Sequence, residues 1–106
     1  MPTLVIHAPD RRAREGATSF EQILGIGIGD GYAIWPEYVS RLAEGCSIVL
    51  LRKDRNKRRA EGRFVKLDGT GRFINGVERY NVHFRDMREV SYKPERLNRF
   101  GVALID

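Results

Sequence analysis

Short apolar, β-branched runs recur along the chain and predict strands. The first run is 3–7, which Pro9 ends, and the second is 47–52. A third strand is expected over 58–67, after a basic turn at 54–57. Because these runs are short and apolar, we expect them to lie in a buried sheet.

The second half of the chain continues the strand pattern. Turn signals at 68–71 and 75–76 should bound a short strand. In the following run Tyr80, Val82 and Phe84 alternate with polar residues, so one face of that strand should be buried. The later strands are expected at 72–74, 78–84, 90–92 and 100–105.

Two short helices are expected in the first half of the chain. A threonine or serine at 18–19 can cap the first helix, which would run to Leu24. Pro36 suits the first turn of the second helix, which would end before Gly45. Between them, four alternate glycines in 25–31 favour an extended or looping segment. Six or seven strands and two helices predict an α+β fold, a small, partly open β-barrel with the helices packed against it.

The composition narrows the class of protein. A chain of 106 residues, 42% hydrophobic, fits a single domain over 1–106. No apolar run approaches the roughly 18 residues of a membrane span, and no leader pattern opens the chain. We therefore expect a soluble, cytoplasmic protein without a membrane partner. Cys46 lies in an apolar run, which favours a buried packing role. With only His7 and His83 beside it, neither a metal site nor a cofactor is expected.

Positive charge is concentrated in one window of the sequence. The net charge is +5, and residues 52–66 hold eight basic and two acidic residues, a net +6 that leaves −1 for the rest. Such a local field attracts polyanions, although a charged loop that merely prevents aggregation is the alternative. Phosphate contacts are expected from Arg52, Lys53, Arg55, Lys57, Arg58, Arg59 and Arg63.

Aromatic residues suggest a second kind of contact. Tyr32, Trp35 and Tyr38 fall within seven positions at the start of the second helix. Aromatic faces stack on unpaired or flipped bases at roughly 1–3 kcal/mol each, although a lone tryptophan can equally belong to the core. The glycine string lacks the strand, long helix and acidic residue of a dinucleotide site, and no nucleophile or paired-acid spacing is found. These absences predict a binding module rather than an enzyme.

The order of these features resembles that of EVE-domain proteins, which belong with YTH domains in the PUA-like superfamily. The segment 59–65 also resembles the family strand that recrosses the barrel with a small residue and glycine in its middle. The shared order is Leu4-Val5-Ile6-His7-Ala8-Pro9, a short helix beginning near Ser19, a segment ending in Trp35, a helix ending at Glu44-Gly45, and the strand 47–51.

The resemblance implies a PUA-like barrel with a pocket that holds a base, often a methylated one, between aromatic walls. The walls would come from His7, Ala8 and Pro9 at the end of the first strand and from the segment Tyr32 to Tyr38. The sequence departs from the commonest EVE pattern, which has Ser-Glu-Pro where His7-Ala8-Pro9 stands. Size and charge also look like the N-terminal recognition domains of archaeal McrB-type restriction enzymes, which precede a motor domain.

The leading expectation is therefore a DNA-binding module that flips and reads a modified base within a modification-dependent restriction system. Its base pocket would comprise Trp35, Tyr32, Tyr38, His7, Ala8 and Pro9. One alternative is an RNA-binding PUA-like module that uses the same surface. Another is a small enzyme or small-ligand binder that uses His7 or Cys46.

Overall fold

The apolar runs form one curled six-stranded sheet in the computed structural model, which describes residues 1–8, 19–53 and 56–106. The strand order is β2-β5-β4-β3-β1-β6; β1 and β3 pair in parallel, and the other four pairings of this sheet are antiparallel. The sheet curls into half a barrel, which is compatible with the expected small α+β barrel. The elements are β1 (Thr3–His7), α1 (Phe20–Ile26), β2 (Ile28–Ala33), α2 (Pro36–Val39), β3 (Ser47–Arg52), β4 (Arg58–Ile74), β5 (Val77–Val90) and β6 (Val102–Ile105).

Both faces of the central strands bury apolar side chains. On the face that we call inner, Ile48 and Leu50 pack with Phe20 and other residues of the larger core. On the opposite face, which we call outer, Val49 and its neighbours form a smaller cluster under the segment that follows β5. Fully burying one such side chain contributes about 1.5–3 kcal/mol, so the larger core holds the sheet in its curled form.

Helix α1 begins and ends with standard caps. The Gln22 amide donates to Ser19 Oγ (3.3 Å), and the Ser19 amide donates to Gln22 Oε1 (3.2 Å), which completes a capping box. Gly27, at φ 84°, ends the helix in the left-handed conformation. The glycine string is therefore helical at 25–26, contrary to the prediction, and extended from Ile28 as predicted.

Helix α2 is shorter than its sequence pattern predicts. It begins at Pro36, as expected, but ends at Val39 rather than near Gly45. The Arg41 amide already bonds to a carbonyl three residues back, at 3.0 Å, and the chain continues in turns. Leu42 therefore contacts the core from outside the helix, and Ala43 is exposed.

Strands β4 and β5 form one long hairpin. The prediction of a turn at 68–71 is wrong, because β4 continues through it and takes up the extra residues as a register shift between Gly69 and Phe73. The turn at Asn75–Gly76 is confirmed, with φ values of 49° and 79°. A strand at 90–92 is not found, since β5 ends at Val90.

The lone cysteine belongs to the inner core. Cys46 is 1% exposed, which confirms its predicted packing role. No group of three or more His, Cys, Asp or Glu side chains within the described residues is placed to hold a metal ion. Across the same stretches of chain, no helix has the length and apolar character needed to cross a membrane.

Candidate nucleic-acid interface

The basic segment separates into buried and exposed residues. Arg52 and Arg59 are only 4% and 6% exposed. Arg52 Nε donates to the Asn56 carbonyl (2.7 Å), while the Arg59 guanidinium bonds to Glu61 (2.8 Å) and Glu95 (2.9 Å). Burial lowers the pKa of Arg59, but the bonds to its two carboxylates outweigh burial and raise it. These two guanidinium groups are therefore held by intramolecular partners.

Arg58 also has internal partners. It donates two bonds to Glu89, at 2.8 and 2.6 Å, and pairs with Glu21 of α1. Its hydrogen bonds to these carboxylates raise the pKa of Arg58. Arg58 Cζ lies 4.6 Å from the ring centroid of Phe20, and Arg52 Cζ lies 5.9 Å from the same ring. This end of the basic segment fastens α1 to the sheet.

The other expected phosphate contacts are solvent-facing where they are described. Lys53, Lys57 and Arg63 are exposed. Lys57 Nζ lies 5.8 Å from the ring centroid of Tyr92, which packs against the outer cluster. Arg55 lies outside the described residues. Lys57 and Arg63 therefore approach the outer face of the sheet from the loop and from β4.

A groove of about 710 Å³ crosses this outer face between β3, β4 and β5. Its acidic residues are already paired: Glu61 and Glu95 with Arg59, and Asp86 with Arg85 at 2.7 Å. Among the described residues, the other basic groups of the groove have no acidic partner. Five basic residues line the groove, Arg59, Arg63, Arg85, Arg88 and Lys93, against three acidic ones, Glu61, Asp86 and Glu95.

Two arginines of the groove face each other across neighbouring strands. Arg63 of β4 pairs in register with Arg85 of β5, and both are exposed. Among the described residues, Arg63 makes only long hydrogen bonds, at 3.4 Å to the Gly45 carbonyl and 3.3 Å to Ser47 Oγ. Like charges directly opposite each other destabilise a sheet. An anion bound between Arg63 and Arg85 would relieve the repulsion between the two guanidinium groups.

A bulge brings a further arginine to the groove. Glu61 pairs with Arg88 and Arg63 with Arg85, so β5 carries one extra residue over this interval. Asp86, within it, has φ 55°. In a regular strand, residues three apart would face opposite sides of the sheet, but Arg85 and Arg88 both line the groove.

A close backbone approach accompanies the bulge. A Cβ on Gly62 would lie 2.7 Å from the Arg85 carbonyl oxygen and 2.9 Å from Met87 Cα. Only glycine lets β4 and β5 approach this closely. Gly62 therefore supports the strand geometry that sets Arg63 opposite Arg85.

Trp35 and Tyr38 contact each other, whereas Tyr32 bonds to the main chain. Trp35 is the N-cap of α2 and is half-buried, with its ring centroid 5.2 Å from that of Tyr38 and the two planes tilted by 43°. The Tyr32 hydroxyl donates to the His7 carbonyl (2.9 Å). Burial, with a smaller effect of the Asp30 charge, raises the pKa of Tyr32, so its phenol remains a hydrogen-bond donor.

The end of β1 provides fewer pocket walls than the resemblance implies. Ala8 is fully buried, and its amide bonds to the Leu51 carbonyl at 2.8 Å. Pro9 lies outside the described residues. The Tyr32 hydroxyl bonds to the backbone at this point, whereas Trp35 is a half-buried residue.

Three basic residues that line the groove are not predicted from the sequence: Arg85, Arg88 and Lys93. The alternation of apolar and polar residues along β5 could have predicted the outward position of Arg85. It continues the series of Arg79, Asn81 and His83. Nothing in the sequence marks the bulge that turns Arg88 the same way.

Comparison with models of known families, with curated proteins and with solved structures found no match. The resemblance to EVE and PUA-like domains therefore remains a prediction from the residues quoted for it. Fold and groove together define a small α+β domain whose half-barrel sheet carries a basic groove on its outer face.

Proposed function

We propose that this protein is a nucleic-acid-binding module whose outer groove holds the phosphate backbone. The observation that carries the proposal is the exposed cross-strand pair of Arg63 and Arg85, with Arg88 and Lys93 beside it in the groove. Guanidinium groups bind phosphate through parallel, charge-assisted hydrogen bonds. Glu61 and Glu95 are bound to Arg59, and of this set only Arg85 pairs with a carboxylate among the described residues, that of the exposed Asp86.

The spacing of the basic groups favours a polymer over a single anion. Arg63 lies on β4, Arg85 and Arg88 lie on β5, and Lys93 lies on the segment after β5, so the basic groups are spread over the groove. Lys57 extends the positive surface towards the β3–β4 loop. A groove of about 710 Å³ with basic groups along its length suits a chain of repeated phosphates.

The finer proposal is that the module reads a modified base in DNA. Its support is the half-buried pair of Trp35 and Tyr38, which offers ring surface for stacking, together with the resemblance to PUA-like base readers. In this view the groove supplies affinity and the aromatic pair supplies selectivity. The module would act as the recognition domain of a modification-dependent restriction system, and structured RNA is the competing ligand.

The test measures binding to matched methylated and unmethylated DNA duplexes, and to a structured RNA, at several salt concentrations. Each phosphate contact contributes about −0.9 to the slope of log affinity against log salt on duplex DNA. The triple variant Arg63→Gln, Arg85→Gln, Arg88→Gln should therefore weaken binding to every sequence and flatten the slope by up to about 3.

A matched control removes the same charge elsewhere. Arg41, Arg96 and Arg99 are exposed and do not line the groove. Changing these three to glutamine should leave more of the slope intact than the groove variant does. An equal loss in both variants would show that net charge alone, and not the groove, binds the polyanion. Preference for RNA over both duplexes would favour the RNA-binding alternative.

A further inference from the structure

The far end of the β4–β5 hairpin exposes apolar side chains. We call residues 72–77 the hairpin tip. Phe73 is 63% exposed and Ile74 is 41% exposed. The flanking strands stop short of the tip, because β3 pairs with β4 only as far as Arg63, and β2 pairs with β5 only as far as Arg79. The tip is therefore a two-stranded ribbon that extends past the rest of the sheet.

Local hydrogen bonds and turn geometry fix the shape of this ribbon. Thr70 Oγ1 donates to the Arg79 carbonyl (2.7 Å) and accepts from the Arg72 amide (3.1 Å). Between Gly69 and Phe73, β4 carries two more residues than β5, a bulge that turns the tip relative to the base of the hairpin. Positive φ values at Asn75 and Gly76 match the tight turn that suits twisted strands. The exposed side chains are thus presented in a defined geometry.

We propose that the hairpin tip is a wedge that inserts Phe73 between stacked bases, while the exposed Arg72 beside it contacts phosphate. This inference rests on the proposed nucleic-acid binding and adds a second contact away from the groove. Proteins that kink a duplex insert one or two apolar side chains between base steps, next to basic residues. The tip offers this combination on a ribbon narrow enough to enter a groove of DNA.

The size of the apolar surface argues against other partners. A stable protein–protein interface buries about 800 Å² on each side, far more than two side chains on a ribbon provide. Binding to a membrane surface uses a long apolar face, usually of an amphipathic helix. A base step needs only the one or two apolar side chains that the tip supplies.

The test uses a DNA duplex containing 2-aminopurine, whose fluorescence rises when the base loses its stacking. The wild-type protein should raise the emission, and Phe73→Ser should abolish the rise and weaken binding on the order of tenfold, with the salt slope retained. Phe73→Leu should keep most of the effect because it keeps an apolar wedge. Ile26, also 63% exposed, provides the control: Ile26→Ser should behave as wild type. Thermal denaturation checks that each variant is folded.

Several outcomes would overturn the wedge. If the wild-type protein binds with a steep salt dependence but the emission stays constant, or if Phe73→Ser matches wild type, the wedge is wrong and the proposed function stands. If Phe73→Ser instead loses binding to phosphatidylserine vesicles and leaves the DNA signal unchanged, the tip is a membrane contact. Failure of the wild-type protein to bind any nucleic acid would overturn both proposals.

Discussion

Two pairs of arginines face each other across neighbouring strands, and their surroundings differ. Arg52 and Arg58, on β3 and β4, lie over the ring of Phe20 and are held by internal partners. Arg63 and Arg85, on β4 and β5, are exposed, and the only carboxylate pairing with either in the described residues is that of Arg85 with the exposed Asp86. The first pair serves the fold, whereas the second is available to an anion.

The charge counted along a sequence is therefore not the charge available to a ligand. The segment 52–66 carries a net +6, yet its buried arginines are satisfied inside the protein. The accessible basic groups of the groove include Arg63, from within the segment, and Arg85 and Arg88, from outside it. The pairing of β4 with β5 brings them together. Sheet register, rather than sequence proximity, assembles the candidate site.

Arg59→Ala should have the largest effect on stability. The change leaves Glu95, whose side chain is 14% exposed, without its cation, and breaking such a buried pair costs about 3–5 kcal/mol. Urea denaturation measures the loss. Arg63→Ala is the control from the exposed pair and should change stability by no more than about 0.5 kcal/mol. Equal losses in the two variants would contradict the division into structural and available arginines.

Gly62→Ala should have the second-largest effect on stability. The new Cβ would meet backbone atoms of β5 at 2.7 and 2.9 Å, and overpacking of this kind costs about 1–3 kcal/mol. Gly25→Ala is the matched control, since a Cβ at that helical position meets nothing within 4 Å and should stabilise α1 by about 0.5–1 kcal/mol. A Gly62→Ala protein as stable as wild type would show that β4 and β5 can separate at the bulge.

The elements of this fold could be predicted where local chemistry decides them. The bounds of β1 and β3 follow from their apolar runs, and the turn at Asn75–Gly76 follows from residues that tolerate positive φ. The bulges near Gly69 and Asp86 could not be predicted, because they depend on how two distant strands align.

The candidate site was harder to predict than the fold. The carboxylates that neutralise Arg58 are Glu21 and Glu89, 37 and 31 residues away in sequence. Burial of Arg59 likewise depends on the chain after β5, which supplies Glu95. A local count of charges contains neither fact. It therefore gives a phosphate-binding role to arginines that are bound inside the fold.

Trp35→Ala tests whether selectivity is separate from the basic groove. Because Trp35 is half-buried beside Tyr38, its removal should destabilise the fold by less than the roughly 3–5 kcal/mol of a core aromatic. Binding should lose roughly 1–3 kcal/mol of stacking and the preference for a methylated base, while the salt slope persists. Paired melting and binding curves measure both effects. A folded variant that still discriminates would exclude Trp35 from the base pocket.

The smallest expected effect is a pH dependence from the structural pair. Hydrogen bonds from Arg58 hold the pKa of Glu89 below its ordinary value of 4.5. A carboxyl whose pKa is lower in the folded state stabilises the protein fully above its unfolded pKa and loses that contribution as pH falls through the folded value. Stability should therefore decline as pH drops below about 4.5, and Glu89→Gln should reduce this decline in urea midpoints measured from pH 6 to pH 3.

Since the side chain of Glu89 is 43% exposed, solvent screening keeps the effect small. In an Arg58→Gln background, Glu89→Gln should alter the pH dependence no further, and an equal change in both backgrounds would mean that another group causes the decline.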